Sequence, residues 1–121
     1  MEFTQTGIIL KTEKYNHCVR FYSEILGLCL VSEKIEGEFR MSEFNFGGSY
    51  LLIETGGKAS LEEKSSTENP TVLRFDIPDA NIAIAYLQNH GVQTAYYTYD
   101  WANIIIIIDP DGNRIELKET K

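Results

Sequence analysis

Histidine, cysteine and tryptophan are scarce in this chain, at two, two and one residues among 121. Each shortage removes a class of chemistry. Cys18 and Cys29 have no metal-type spacing, and two cysteines make no disulfide framework, so reduced thiols in a cytoplasmic protein are expected. No apolar run reaches the roughly 18 residues of a membrane-spanning helix. The start, Met1-Glu2-Phe3-Thr4-Gln5, lacks a basic region followed by an apolar one, so no secretory signal is expected. Positive charge is also short. Eleven Lys and Arg stand against 18 Asp and Glu, a net charge of −7, which argues against nucleic acid or an anionic membrane as partner. No nucleophile elbow and no phosphate-cradling glycine loop is present. Gly47-Gly48 and Gly56-Gly57 read as turn glycines.

What remains is ordinary globular material: 43% hydrophobic and 24% charged residues over 121 positions, enough for one domain with a real core. Its most informative stretch runs from Asn103 to Leu117. Five consecutive isoleucines, Ile104 to Ile108, are β-branched and stiff at χ1, so they read as a strand, and the lack of polar alternation suggests cover on both faces. Asp109-Pro110-Asp111-Gly112 makes a tight turn, with Gly112 free to take the left-handed conformation that a type I turn with a bulge requires. The next strand alternates. Arg114, Glu116 and Lys118 lie on one face, Ile115 and Leu117 on the other. A carboxylate flanked by cations on its own face reads either as a solvated, charge-paired strand or as part of a site.

The chain writes one unit twice. Residues 7–12 form a strand, and Cys18, Phe21, Tyr22 and Ile25 fall on one face of a helix that Gly27 ends. Strands over 28–35, 38–46 and 50–54 follow. Residues 55–70, rich in Gly, Ser, Thr, Glu and Lys and ending in Asn69-Pro70, read as a linker or mobile loop. The order then repeats: a strand over 71–77, a helix capped by Asp79 with Ala80, Ala83, Ile84 and Leu87 on one face and Gly91 at its end, and strands over 92–99, 104–108 and 113–118. The expected fold is α+β: two paired βαβββ modules (1–55 and 71–121, with linker 56–70) forming a curved mixed sheet with both helices outside and an inner face lining a trough.

Arg20-Phe21-Tyr22-Ser23-Glu24-Ile25-Leu26-Gly27-Leu28 resembles the "FYxxxLGL" signature of the vicinal oxygen chelate superfamily, which includes glyoxalase I, bleomycin-resistance proteins, fosfomycin-resistance proteins and extradiol dioxygenases. Phe75-Asp76-Ile77-Pro78-Asp79 resembles its second-module strand and helix start, and Asp109 to Leu117 its C-terminal "DPDGNxIEL" hairpin. The resemblance covers nearly the whole chain. It implies a homodimer and, for the metal enzymes, a cation held by inward-facing histidines and glutamates. Glu116 and Glu54 match the two glutamate positions, whereas the two histidine positions fall on Gly7 and Val72. Two carboxylates without imidazole or thiolate make at best a weak Mg²⁺ or Ca²⁺ site and a poor one for Zn²⁺, Ni²⁺ or Fe²⁺. His17 belongs to the first helix, outside the trough, and His90 to the last turn of the second, where capping suits it.

Strand parity with Glu116 pointing inward places Gly7, Ile9 and Lys11 on the trough face, along with Tyr50, Leu52 and Glu54, with Val72, Arg74 and Asp76, and with Arg114 and Lys118. Gly7 is expected to leave space, and Arg74 to pair with Glu116 or Glu54. Phe39 and Trp101, with Tyr96, Tyr97 and Tyr99, add an aromatic edge. The candidate ligand-binding set is therefore Ile9, Phe39, Tyr50, Leu52, Glu54, Val72, Arg74, Trp101, Arg114 and Glu116. The leading expectation is a metal-independent, cofactor-free protein of the bleomycin-resistance type, binding a small cationic or aromatic organic molecule in a dimeric trough. The alternative is a glyoxalase- or isomerase-like enzyme with a weakly held metal on Glu54 and Glu116, or with Glu116 as catalytic base. A third is a structural or regulatory module whose trough its own side chains fill.

Overall fold

The computed structural model describes residues 1–121 and divides into two compact units, Met1–Ala59 and Ser60–Lys121. Each is a βαβββ unit whose four strands form one mixed sheet.

In the first unit β1 (Gly7–Thr12) leads into α1 (Tyr15–Arg20), which tightens no further but widens into a π-helical turn over Phe21–Ile25. Ser23 Oγ donates back to the Val19 carbonyl at 2.7 Å, and Gly27 ends the run at φ +74°. Strands β2 (Leu30–Glu36), β3 (Phe39–Phe46) and β4 (Ser49–Thr55) follow, in the spatial order β1-β4-β3-β2. The β1–β4 pair is parallel and the other two pairs are antiparallel. Period-2 alternation turns Phe44, Leu51 and Ile53 to one side, where they are buried together with Cys18, Phe21 and Tyr22 of the helical segment. Tyr15 and Ser42 join their hydroxyls by a hydrogen bond inside this layer, so the tyrosine is buried without an orphaned polar tip. The opposite face carries Gly7, Ile9 and Lys11 against their register partners Tyr50, Leu52 and Glu54.

The second unit repeats the plan with β5 (Leu73–Asp76), α2 (Ala80–Asn89), β6 (Ala95–Thr98), β7 (Ala102–Ile108) and β8 (Arg114–Thr120), in the order β5-β8-β7-β6. Asp79 caps α2 by accepting from the Ile82 amide at 3.0 Å, and Glu119 accepts from the Ala80 amide at 2.7 Å. Ala80 and Leu87 are buried on the inner side of α2, and Leu73, Ile105, Ile107, Ile115 and Leu117 are buried in the sheet. The isoleucine run is thus enclosed on its odd-numbered side, whereas Ile106 and Ile108 on the other side stay partly open.

Strands β5 and β6 are shorter than the apolar pattern suggested. The Thr71 amide turns to the Asn69 side chain at 3.3 Å instead of joining the sheet. Residues 60–70 do not hang free. The Ser60 amide donates to the Asp111 carbonyl (2.9 Å) and the Lys64 amide to the Gly112 carbonyl (2.8 Å), while the Lys64 ammonium (3.2 Å) and the Asn69 side-chain amide (2.8 Å) both donate to Asn113 Oδ1. The turn that receives them is stiffened from within. Asp109 Oδ1 accepts from the amides of Asp111 and Asn113, both at 2.9 Å, and Gly112 has φ +91°.

Candidate functional site

The parallel register of β5 and β8 sets Arg74 directly opposite Glu116. Both side chains leave the sheet on the face away from α2, and Arg74 Nη2 donates to Glu116 Oε1 at 2.7 Å. Arg114, two residues earlier on the same strand and therefore on the same face, folds back onto the other oxygen. Its Nε and Nη2 donate to Oε2 at 3.1 and 2.8 Å. Glu116 is thus held by two guanidiniums, one at each oxygen, with its side chain only 13% exposed. Burial on its own raises the carboxyl pKa; the hydrogen bonds from Arg74 and Arg114, and their positive charges, outweigh it and leave the pKa below the ordinary 4.5. The mid-strand carboxylate is therefore charge-paired, and it also lines a cleft.

Beside this clamp lies a cleft of about 360 Å³ lined by Glu63, Lys64, Ser66, Asn69, Pro70, Val72, Arg114 and Glu116. One wall is the face of β8. The other is residues 63–72, held there by the hydrogen bonds to Asn113. Glu63 Oε2 stands 3.8 Å from Arg114 Nη1, close enough for an ion pair and too far for a hydrogen bond. Of the expected residues, the structure gathers Val72, Arg114 and Glu116 in this cleft, with Arg74 on Glu116. Glu63, Lys64, Ser66, Asn69 and Pro70 were not among them. The available signal was the length of the 55–70 segment, since long loops inside small domains are commonly functional.

The first unit presents a different face. Glu54 is buried and its carboxylate pairs with the Lys11 ammonium, its register neighbour on β1. That ammonium also lies 5.9 Å from the centroid of the Phe39 ring. At Gly7 the expectation of open space is corrected. An added Cβ would fall 2.1 Å from Cε2 of the Tyr50 ring. The aromatic side chain of the register partner has moved into the room that glycine vacates, because a ring over a bare backbone buries apolar surface at no steric cost. Ile9 is exposed, and Leu52 beside it is half-buried.

Trp101 sits on the turn from β6 to β7. It stacks on Tyr99 with centroids 5.6 Å apart and rings 20° from parallel, and the Lys118 ammonium lies 5.9 Å from its ring. It does not line the cleft. The register puts Tyr97 on the Glu116 face and Tyr96 on the helix side, so the aromatic edge is split between two faces. His90 is the C-terminal cap residue of α2, with Nδ1 2.8 Å from the Tyr86 carbonyl oxygen.

The chemistry that these donor sets allow is narrow. No group of three or more His, Cys, Asp or Glu side chains stands together as a metal site. Glu116 and Glu54 already have cationic partners, and the residues at the other two expected ligand positions are Gly7 beneath a tyrosine ring and Val72.

No protein-family model and no curated protein matches the sequence. Solved structures do match the fold. A glyoxalase family protein from Enterococcus faecalis is 24% identical with a TM-score of 0.74, covering 98% of this chain and 97% of that one. The fosfomycin resistance protein FosX from Listeria monocytogenes, complexed with Mn(II) and sulfate, is 16% identical with a TM-score of 0.77, covering 100% and 95%. TnmS3, an antibiotic binding protein from Streptomyces sp. CB03234, is 18% identical with a TM-score of 0.70, covering 99% and 100%. The architecture shared with them is the paired βαβββ fold of glyoxalase and bleomycin-resistance proteins, as the resemblance to the vicinal oxygen chelate superfamily implied.

Proposed function

We propose that this protein binds a small organic molecule without a metal ion, as a homodimer in the cytoplasm, using the open faces of its two sheets. The observation that carries the reading is the double engagement of Glu116: Arg74 holds one oxygen and Arg114 the other. A divalent cation would have to displace both guanidiniums, and the strands supply no imidazole to complete its shell. Lys11 on Glu54 and the Tyr50 ring over Gly7 support the same conclusion from the first unit. A fold neighbour described as antibiotic binding supports ligand binding as a use of this architecture.

The enzymatic alternative loses support at the same residue. A general base works best with a pKa near the operating pH, and Glu116 is shifted the other way, below 4.5. The ligand-contacting residues are Val72, Arg74, Arg114 and Glu116 in the second unit and Ile9, Tyr50, Leu52, Phe39 and Glu54 in the first, with Trp101 as an aromatic contact at the margin. The test is elemental analysis combined with native mass spectrometry on protein purified without chelator. The expected result is a dimer mass, no stoichiometric Zn, Ni, Mn or Fe, and retained small organic adducts. One transition metal per chain would overturn the reading.

A further inference from the structure

We infer that the cleft of the second unit receives the carboxylate of a small organic anion, and that Glu63 is the placeholder which that carboxylate displaces. The inference rests on the small-molecule-binding reading and assigns the charge of the ligand. It departs from the cationic ligand expected from the sequence.

The chain as a whole carries −7, yet the charges around the cleft run the other way. Arg74, Arg114 and Lys64 stand against Glu63 and Glu116, three cations to two carboxylates. Glu116 offers little to a cationic ligand, since two guanidiniums already offset its charge and three of its roughly four acceptor sites are used. The donors are not used up. Arg114 Nη1 has no hydrogen-bond acceptor, only the Glu63 carboxylate 3.8 Å away. The Lys64 ammonium gives one of its three protons to Asn113. A guanidinium edge of this kind matches a carboxylate in shape as well as charge.

Glu63 marks the spot. Its side chain is 43% exposed and sits on the loop wall rather than on a strand, so it swings into water at little cost. An incoming carboxylate that approaches Arg114 Nη1 more closely gains the hydrogen bonds that Glu63 does not make. Pro70 and Val72 on the same wall give the organic part of the ligand an apolar surface. A volume of about 360 Å³ is near the lower end for ligand pockets. A monocarboxylate replaces the Glu63 carboxylate charge for charge and plane for plane, which a tetrahedral, doubly charged phosphonate does not.

The probe set is four compounds of one skeleton: benzoate, phenylphosphonate, benzamide and benzylammonium. Each is titrated into uniformly ¹⁵N-labelled protein, following the Arg114 Nε–H and the Asn69 side-chain amide. Benzoate is expected to shift both signals and to bind more tightly than phenylphosphonate or benzamide, and benzylammonium is expected to leave them in place. Glu63→Gln removes the placeholder at an exposed position, so folding is not at issue, and should tighten benzoate binding by about threefold to tenfold, the scale of one exposed ion pair. Arg114→Lys should weaken it by about tenfold or more by losing the planar fork. Equal binding of benzamide and benzoate would overturn the anion assignment and leave small-molecule binding standing. Benzylammonium binding more tightly than benzoate, weakened binding in Glu63→Gln, or no response to any of the four would also overturn it. None of these outcomes bears on the metal analysis, which tests the parent reading separately.

Discussion

The two units place a glutamate at the same point of the same plan, on the last strand and opposite a cation on the first, and surround it differently. Glu54 is answered by one flexible lysine whose side chain is half exposed, beside the ring of Phe39. Glu116 is answered by two arginines, one across the sheet and one folded back along its own strand. The first unit fills its spare room with an aromatic ring over Gly7, whereas the second keeps a cleft and walls it with residues 63–72. A duplicated scaffold fixes where side chains point; the chemistry of each half depends on which cations and which loop are laid over that shared geometry.

The largest expected effect comes from removing the loop wall. Gly112 has φ +91°, and a Cβ there would lie 2.6 Å from the Glu62 carbonyl oxygen. Gly112→Ala combines left-handed strain with a backbone clash, together about 2–4 kcal/mol. Urea unfolding measures the loss. Hydrogen exchange should show early opening at Ser60 and Lys64, whose amides donate to the turn, while the first unit stays protected. Uniform opening of both units would blur the distinction drawn between them.

Next is the pair of carboxylates. Glu116→Gln leaves two guanidiniums competing for one amide oxygen and should cost about 1–2 kcal/mol, whereas Glu54→Gln frees a lysine that reaches water and should cost about 0.5 kcal/mol. The sharper test is acid. A folded-state pKa below 4.5 means that ionised Glu116 contributes stability in full above its unfolded value and loses it as pH falls through the folded value. Glu116→Gln should therefore lose less stability than wild type on going below pH 4.5. An unchanged acid limb would place Glu116 among ordinary solvated carboxylates.

The element order, the helix caps and ends at Asp79, Gly27 and Gly91, and the faces of β1, β4, β5 and β8 were legible in the sequence because period-2 and period-3.6 patterns are local. The Arg74–Glu116 pair was one of the two partners that shared-face parity offered Arg74, and the parallel register of β5 and β8 selects it. Two features were not legible. A glycine in a strand announces missing volume, but only the rotamer of Tyr50, chosen by packing across the sheet, shows that the volume is filled. The polar composition of residues 55–70 suggested mobility, whereas hydrogen bonds to a turn more than 40 positions later hold the segment in place. Composition does not encode such long-range partners.

The remaining effect concerns that ring. Gly7→Ala should force Tyr50 aside at about 1 kcal/mol, since the obstruction is the end of a flexible side chain, and the cost should largely vanish in the Tyr50→Ala background. Additive costs in the double mutant would mean that the ring does not occupy the space above Gly7.

The arginine clamp on Glu116 is tested most directly by the pH titration of its side-chain carboxyl carbon in ¹³C-labelled protein, assigned with Glu116→Gln and repeated with one equivalent of Zn²⁺. The clamp predicts a midpoint below 4.5 and the same curve with and without the metal. A midpoint at or above 4.5, or a carboxyl signal that moves when zinc is added, would contradict it.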